Sequence, residues 1–174
     1  EIPKRDWSSD VCSSDLLPMT HITWNDAEAF TKKLNKLTGL PFSLPTEAQW
    51  EYAAAGGESY PYAGSDNIRD VAYYASNANE RLHPVGEKRE NGFDLYDMSG
   101  NAAEWCTDWM SRYENTRVTD PQGPAENPGH HKKIVRGGSY LANERDIDIR
   151  HRSVQTYDTS EPHIGFRVVL NPIQ

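Results

Sequence analysis

Residues 91–109 read NGFDLYDMSGNAAEWCTDW, and the rest of the chain is organised around them. The dipeptide Asn91-Gly92 predicts a turn at the start of this stretch. Alternating apolar residues at Phe93 and Leu95 predict a short strand after the turn. A second turn, which carries acidic residues, then leads into a segment rich in tryptophan.

The second turn is a candidate metal site. Asp97 and Glu104 lie seven positions apart on either side of a turn that contains Gly100. Carboxylates and backbone carbonyls are hard oxygen ligands, which suit calcium better than zinc. The alternative interpretation is an acidic turn without a metal, beside a tryptophan-rich strand. Spacing alone leaves both interpretations open.

Four motifs, taken in this order, resemble those of the formylglycine-generating-enzyme-like family, also called sulfatase-modifying factors. They are LPTEAQWEYA at 44–53, NGFDLYDMSGNAAEW at 91–105, RGGSY at 136–140 and GFRV at 165–168. The resemblance covers about residues 18–170. It implies a loop-rich α+β fold similar to that of C-type lectins, with two helices and a small, mostly antiparallel sheet.

The resemblance also implies a structural calcium ion in the acidic turn. Carried over position by position, the ligands are the side chains of Asp97 and Glu104 and the backbone carbonyls of Gly100 and Ala102. Asp97 stands where relatives often have asparagine, and both side chains supply an oxygen. We therefore expect calcium at this turn.

The same resemblance argues against copper chemistry. The family's oxidases hold copper with two cysteines shortly after the Gly-Gly-Ser motif, because thiolates bind monovalent copper. Those positions are Ala142 and Ile147 here, the neighbouring histidine position is Asn143, and an aromatic of the peptide groove falls on Ala103. Only Ser139 remains of that set. We predict no copper and no conversion of a substrate cysteine to formylglycine.

Two functions of different classes remain. The first is a calcium-stabilised binding domain that recognises a protein or glycan through residues 142–162, here called the display loop, whose mixed charges and tyrosine suit hydrogen bonding and stacking. The second is an enzyme with non-haem iron or other oxidative chemistry, whose active groups lie partly outside this sequence. An enzyme should bring several histidines or carboxylates together beside Ser139, whereas a binder should show an exposed rim. The candidate ligand-binding residues are Ser139, Asn143, Arg145, Asp146, Asp148, Arg150, His151 and Tyr157.

Composition limits the remaining possibilities. The 174 residues suffice for one domain with a core, and 12 glycines with 11 prolines indicate loops rather than a helical bundle. The net charge of -8 argues against nucleic-acid binding, which requires cations that neutralise phosphates. No run of residues is long and apolar enough to cross a membrane. The sequence gives no oligomeric state, and the export of many relatives favours a periplasmic or secreted location.

The first residues have an unusual origin. Residues 6–16 read DWSSDVCSSDL, which is one translation of a common DNA-sequencing adapter. We interpret residues 1–16 as an artefact without a functional role and assign 17–174 to one family domain that lacks its usual N-terminal part. Setting Cys12 aside leaves Cys106, so we expect no native disulfide. The strand predicted at 165–170 would then lack a neighbour and form an open edge.

Capping signals predict the two helices. Each begins at a threonine with a partner three positions later, Thr23 with Asp26 and Thr46 with Gln49. A glycine follows the predicted end of each helix. The apolar face predicted for the first helix consists of Ala27, Phe30, Leu34 and Leu37.

Several charged residues have a structural interpretation as well as a functional one. Glu47 and Glu51 lie at helical spacing and could form a catalytic carboxylate pair. We favour a charge at the helix start for Glu47 and a polar contact that anchors the core. We likewise expect that Arg150, Arg152 and Arg167 each bridge a loop to a carboxylate.

Overall fold

The computed structural model describes residues 16–113 and 117–172. The helices in these ranges are α1 (Trp24–Thr38), α2 (Glu47–Ala55) and α3 (Ile68–Val71). The strands are β1 (Phe42–Ser43), β2 (Ala72–Tyr73), β3 (Ser99–Gly100), β4 (Ala103–Trp109), β5 (Lys132–Arg136), β6 (Ser153–Thr156), β7 (Ile164–Gly165) and β8 (Val169–Leu170). The artefact prediction lies outside the described residues, except for Leu16.

The main sheet has four strands in the order β6-β5-β4-β7. The β6–β5 and β5–β4 pairs are antiparallel, and β7 runs parallel to β4. Two smaller pairs complete the architecture, an antiparallel β1–β8 pair and a parallel β2–β3 pair. The α+β, lectin-like fold is confirmed, and α3 adds a short helix that the sequence had not indicated.

The core covers both faces of the main sheet. Trp105 and Val135 face one side, where they pack with Ala27 of α1 and with Leu44, which follows β1. Cys106 and Ile134 face the other side, where they pack against Trp50 of α2. Because neighbouring residues of a strand point to opposite faces, β4 and β5 are apolar on both sides and lie between the two helices.

Both predicted capping boxes are confirmed. The hydroxyl of Thr23 accepts from the N–H of Asp26, whose side chain accepts from Thr23 in return. Thr46 and Gln49 make the same reciprocal pair at the start of α2. The apolar face predicted for α1 is only partly correct. Ala27 is buried, but Phe30 and Leu37 are exposed, because Thr31 faces the core instead.

The strand predicted at Phe93 and Leu95 is wrong. The side-chain carbonyl of Asn91 accepts hydrogen bonds from the N–H groups of both residues, at 3.0 and 3.2 Å. Asp94 between them has a φ of 57°, which is left-handed and incompatible with a strand. The side chain of Asn91 therefore stabilises a turn of the backbone that follows it.

The terminal strand predicted at 165–170 is divided between two sheets. Ile164 and Gly165 form β7 on the edge of the main sheet, and Val169 and Leu170 form β8 beside β1. The backbone carbonyl of Met19 approaches Gly165 so closely that an added Cβ would lie 2.6 Å from it. Part of the edge that was expected to be open therefore contacts the start of the described chain.

Candidate functional site

The acidic turn (residues 97–104) is held by its backbone and by Asn101. Gly100 has a φ of 77°, and a Cβ at this position would lie 2.2 Å from the carbonyl oxygen of Tyr73. The side chain of Asn101 exchanges two hydrogen bonds with the backbone of His83, both at 3.0 Å. The turn therefore has a fixed conformation, and glycine is required at position 100.

Glu104 projects from β4 and is held by two side chains from distant parts of the chain. Nε and Nη2 of Arg167 donate to its two carboxylate oxygens at 2.5 and 2.6 Å. Nε1 of Trp50 donates to one of the same oxygens at 2.6 Å. Arg167 thus bridges to a carboxylate as predicted, and the orientation of Glu104 is fixed.

Three of the four predicted calcium ligands border one cavity of about 410 Å³. They are Asp97, Ala102 and Glu104, and Gly100 lies beside them in β3. The N–H of Gly86 donates to one oxygen of Asp97 at 2.7 Å. All four predicted donors are oxygens, which is the set that calcium prefers, and Glu104 would share its oxygens between the ion and Arg167.

Electrostatics around Asp97 also suit a cation. Burial raises the pKa of the Asp97 carboxyl, and the negative charges of Glu104 and Glu87 raise it further. The N–H of Gly86 and the charge of Arg167 act in the opposite direction. A cation between the carboxylates would stabilise the ionised form of Asp97.

The first half of the display loop is a rigid turn whose tips are polar. Ile147 and Ile149 are buried, at 0% and 3% exposed. Asn143, Arg145 and Arg150 are exposed between and around these anchors. Ser139 itself is buried, and its hydroxyl accepts from the N–H of Leu141 at 3.3 Å.

Several of the predicted ligand-binding residues contact one another inside this turn. Asp148 accepts from the N–H of Arg150 at 2.8 Å, and its carboxylate lies 3.8 Å from Nη1 of the same arginine. Nε2 of His151 lies 3.7 Å from a carboxylate oxygen of Asp146. These contacts are local and fix the turn, and Arg150 binds a carboxylate of its own loop.

Tyr157 does not join the other predicted residues. Residues 153–156 of the display loop form β6, which separates Tyr157 from His151 by the length of a strand. The tyrosine lies instead near Trp109, with ring centroids 5.7 Å apart, and its backbone N–H donates to the carbonyl of His131. The display loop therefore presents two separate surfaces.

The positions of the family's copper ligands lie in an apolar environment. Ile147 belongs to a buried cluster with Ile68, Ala72 and Tyr74, and Ala142 packs against this cluster. Aliphatic side chains thus fill the place where the family's oxidases carry thiols. Cys106 lies elsewhere, fully buried in β4, and burial raises the pKa of its thiol well above the ordinary value.

A buried ionic network is the feature that sequence reasoning missed. Nε and Nη2 of Arg152 donate to Glu47 at 2.6 to 3.0 Å, and Glu47 is only 4% exposed. Arg136 is 1% exposed and pairs with Glu51 and more distantly with Glu47. Glu47 and Glu51 thus make the polar contacts that the structural interpretation requires. Their partners were not predictable, because Arg152 lies 105 positions from Glu47.

The network forms the floor of a cavity of about 880 Å³ between α2 and the segment that follows β4, here called the α2 cavity. Its lining residues are Glu47, Ala48, Glu51, Tyr52, Ala55, Asp108, Ser111, Arg112, Tyr113, Val118, Thr119, Pro121, Gln122, Gly123, Pro124 and Arg152. Within residues 16–113 and 117–172, no three His, Cys, Asp or Glu side chains lie close enough to hold a metal. None of the helices in these two ranges could span a lipid bilayer.

The chain is similar in sequence to known proteins. Residues 3–172 match the family described as sulfatase-modifying factor enzyme 1-like domain. A formylglycine-generating enzyme of Streptomyces coelicolor is 35% identical over 91% of this chain and 54% of its own length. A chaperone protein LppX of Paenibacillus barcinonensis is 32% identical over 74% of this chain and 49% of its own. The chain thus spans about half the length of these relatives.

A solved structure shares the fold more completely. Treponema denticola variable protein 1 superposes with a TM-score of 0.85 and 26% sequence identity. The match covers 91% of this chain and 72% of that protein. The helices, the sheet and the turns described above are therefore those of an established protein architecture.

Proposed function

The chain belongs to the sulfatase-modifying factor enzyme 1-like family, and from that premise we propose that it is a calcium-stabilised binding domain that recognises a protein or a glycan. The proposal rests mainly on the surroundings of Ala142 and Ile147. Both pack in or against one apolar cluster at the positions of the family's copper ligands. Neither side chain can bind a metal or transfer electrons.

The exposed tips of the display loop support recognition rather than catalysis. Asn143, Arg145 and Arg150 are exposed on a turn that Ile147 and Ile149 anchor in the core. Because the buried anchors hold the backbone of this turn, binding through its exposed side chains loses little backbone entropy, which favours affinity. The relatives carry names of both classes, since one is named a formylglycine-generating enzyme, another a chaperone, and a structural neighbour is named a variable protein.

Calcium has a structural role in this proposal. Asp97 and Glu104 would supply carboxylates, and Gly100 and Ala102 would supply carbonyls. The ion would supply positive charge between two carboxylates that the fold brings to one cavity. Arg167 and Trp50 orient Glu104, so that the site is prepared before the ion arrives.

The decisive experiment separates recognition from oxidation. We would incubate the protein with copper and a cysteine-containing sulfatase peptide, and follow formylglycine by mass spectrometry. We expect no conversion, and conversion would overturn the proposal. In parallel, glycan and peptide arrays would be probed with the wild-type chain and with an Arg145→Ala/Arg150→Ala variant.

A control variant completes the design. Lys32→Ala/Lys33→Ala removes two positive charges from exposed positions of α1, outside the display loop. We expect the loop variant to lose array binding and the helix variant to retain it. Equal loss in both would show that net charge, and not the display loop, determines binding.

A further inference from the structure

The α2 cavity has the size and lining of a ligand site. Its volume of about 880 Å³ lies within the roughly 300–1,000 Å³ of small-molecule pockets. Ala48 and Ala55 of α2 form one apolar wall, and Val118, Pro121 and Pro124 form the other. None of the family motifs and none of the predicted site residues lie on that second wall.

Two tyrosines stand at the rim of the α2 cavity on different walls. Tyr52 projects from α2 and is 71% exposed, and Tyr113 follows β4 and is 68% exposed. The hydroxyl of Tyr113 donates to Glu47 at 3.0 Å, and the guanidinium of Arg152 lies 4.2 Å from its ring centre, which leaves the opposite face of this ring for a ligand. Exposed aromatic rings of this size are flat, rigid and apolar on their faces, and each carries a hydroxyl at its edge. Such rings bind partners with one apolar face at a small cost in conformational entropy.

The charges on the floor are already paired. Arg152 holds Glu47, and Arg136 holds Glu51. Burial raises the pKa of Asp108, whose carboxylate accepts from the N–H of Glu47 at 2.7 Å. A cationic ligand would therefore find the carboxylates of Glu47, Glu51 and Asp108 already engaged. Arg112 also borders the cavity, and its guanidinium can donate to the hydroxyls of a neutral ligand.

Neutral hydrogen-bonding side chains complete the lining. Ser111, Thr119 and Gln122 border the α2 cavity and carry groups that both donate and accept. Hydroxyl-rich molecules require partners of this kind. Flat apolar surfaces at the rim and neutral polar groups inside match a pyranose ring, whose faces carry C–H bonds and whose edge carries hydroxyls.

We propose that the α2 cavity binds a neutral oligosaccharide, with Tyr52 and Tyr113 stacking on sugar rings. The inference rests on the proposed function only in treating the chain as a binding domain, and it assigns a site separate from the display loop. A neutral peptide is the competing ligand. It lacks the hydroxyl-bearing rings that two exposed tyrosines and three neutral polar groups would bind together.

The test uses defined sugars and the full chain. Isothermal titration calorimetry would measure binding of maltohexaose, cellohexaose, xylohexaose, laminarihexaose and N-acetylchitohexaose to the wild type. We expect at least one of them to bind, and Tyr52→Ala to weaken that binding about tenfold or more. Tyr52→Phe keeps the ring and should bind like the wild type. Tyr60→Ala, at an exposed tyrosine outside the lining, is the matched control and should also bind normally.

Each contrary outcome has a distinct meaning. Absence of binding to all five sugars overturns the oligosaccharide proposal. The proposal is also overturned if Tyr52→Ala and Gln122→Ala both bind the sugars as the wild type does, or if the arrays show binding to peptides alone. Sugar binding that is lost in Arg145→Ala/Arg150→Ala but kept in Tyr52→Ala would support the proposed function while removing the α2 cavity as its site.

Discussion

Glu104 and Arg167 lie 63 positions apart and form a bidentate ion pair at the edge of the acidic turn. Both carboxylate oxygens of Glu104 accept from the guanidinium, at 2.5 and 2.6 Å. Trp50 adds a third hydrogen bond from the core. The carboxylate of Glu104 thus links β4 to the segment between β7 and β8 through Arg167, and to helix α2 through Trp50.

We expect Arg167→Met to lower the free energy of unfolding by about 3 kcal/mol, because Glu104 would be left buried without its cation. Urea denaturation followed by circular dichroism would measure the change. The double variant Glu104→Gln/Arg167→Met should lose less than the sum of the two single variants. Strict additivity would contradict the view that the two residues act as a pair.

We expect calcium to stabilise the wild type, since an ion that binds only the folded state adds about 2.7 kcal/mol at a concentration 100 times its Kd. Urea denaturation in calcium and in EDTA would measure the difference. Asp97→Ala should abolish it, and Asp97→Asn should keep part of it because an amide oxygen remains. An unchanged calcium effect in Asp97→Ala would remove the acidic turn as the site.

Lys133 should make stability depend on alkaline pH. Its ammonium lies 4.0 Å from the ring centre of Trp24 and 3.8 Å from that of Trp109, and burial lowers its pKa to about 8 from 10.5. Between these values the unfolded state binds more protons than the folded state. Lys133 should therefore contribute a rise in the free energy of unfolding as pH increases above 8.

Urea denaturation at intervals from pH 7 to 9.5 would measure that slope. Cys106 acts in the opposite direction in the upper part of this range, because burial raises its thiol pKa well above 9.0 and the folded state then binds more protons than the unfolded state. Tyr113, whose pKa is raised to about 12, does the same above pH 10. The slope of Lys133→Met should therefore be lower than that of the wild type, and equal slopes in the two proteins would assign the effect to other groups.

Cys106 should be unreactive while the protein is folded. It is fully buried, and burial raises the pKa of its thiol well above the ordinary value, so that little thiolate is present. A Cys12→Ser variant would leave Cys106 as the single thiol. We expect its reaction with Ellman's reagent to be slow in buffer and complete in denaturant, and rapid reaction in buffer would contradict the buried position.

The local features of the fold follow from sequence because their causes lie within a few residues. The capping boxes at Thr23 and Thr46 join partners three positions apart, and their hydrogen bonds form as the helix begins. The burial of Trp50 follows from its size and apolar surface. The same locality explains one error, because the Asn91 side chain competes for backbone groups that the pattern of Phe93 and Leu95 assigns to a strand.

The candidate site was predictable only in part. The motifs place Asp97 and Glu104 on one turn, and the structure brings both to one cavity. The sequence predicted that Arg152 and Arg167 bridge to carboxylates, but it did not indicate which carboxylate each one holds. These ion pairs join residues 63 and 105 positions apart, and many carboxylates could have served as partners.

The sequence by itself therefore determined the family motifs, the starts of α1 and α2, and the aliphatic residues Ala142 and Ile147 where the family's oxidases have thiols. Only the tertiary structure decided which carboxylate each arginine holds, how residues 164–170 divide between two sheets, and that a cavity opens beside α2. The physical reason is the distance along the chain between the residues that interact. Caps and turns depend on bonds between near neighbours, whereas ion pairs and cavities depend on where distant segments meet.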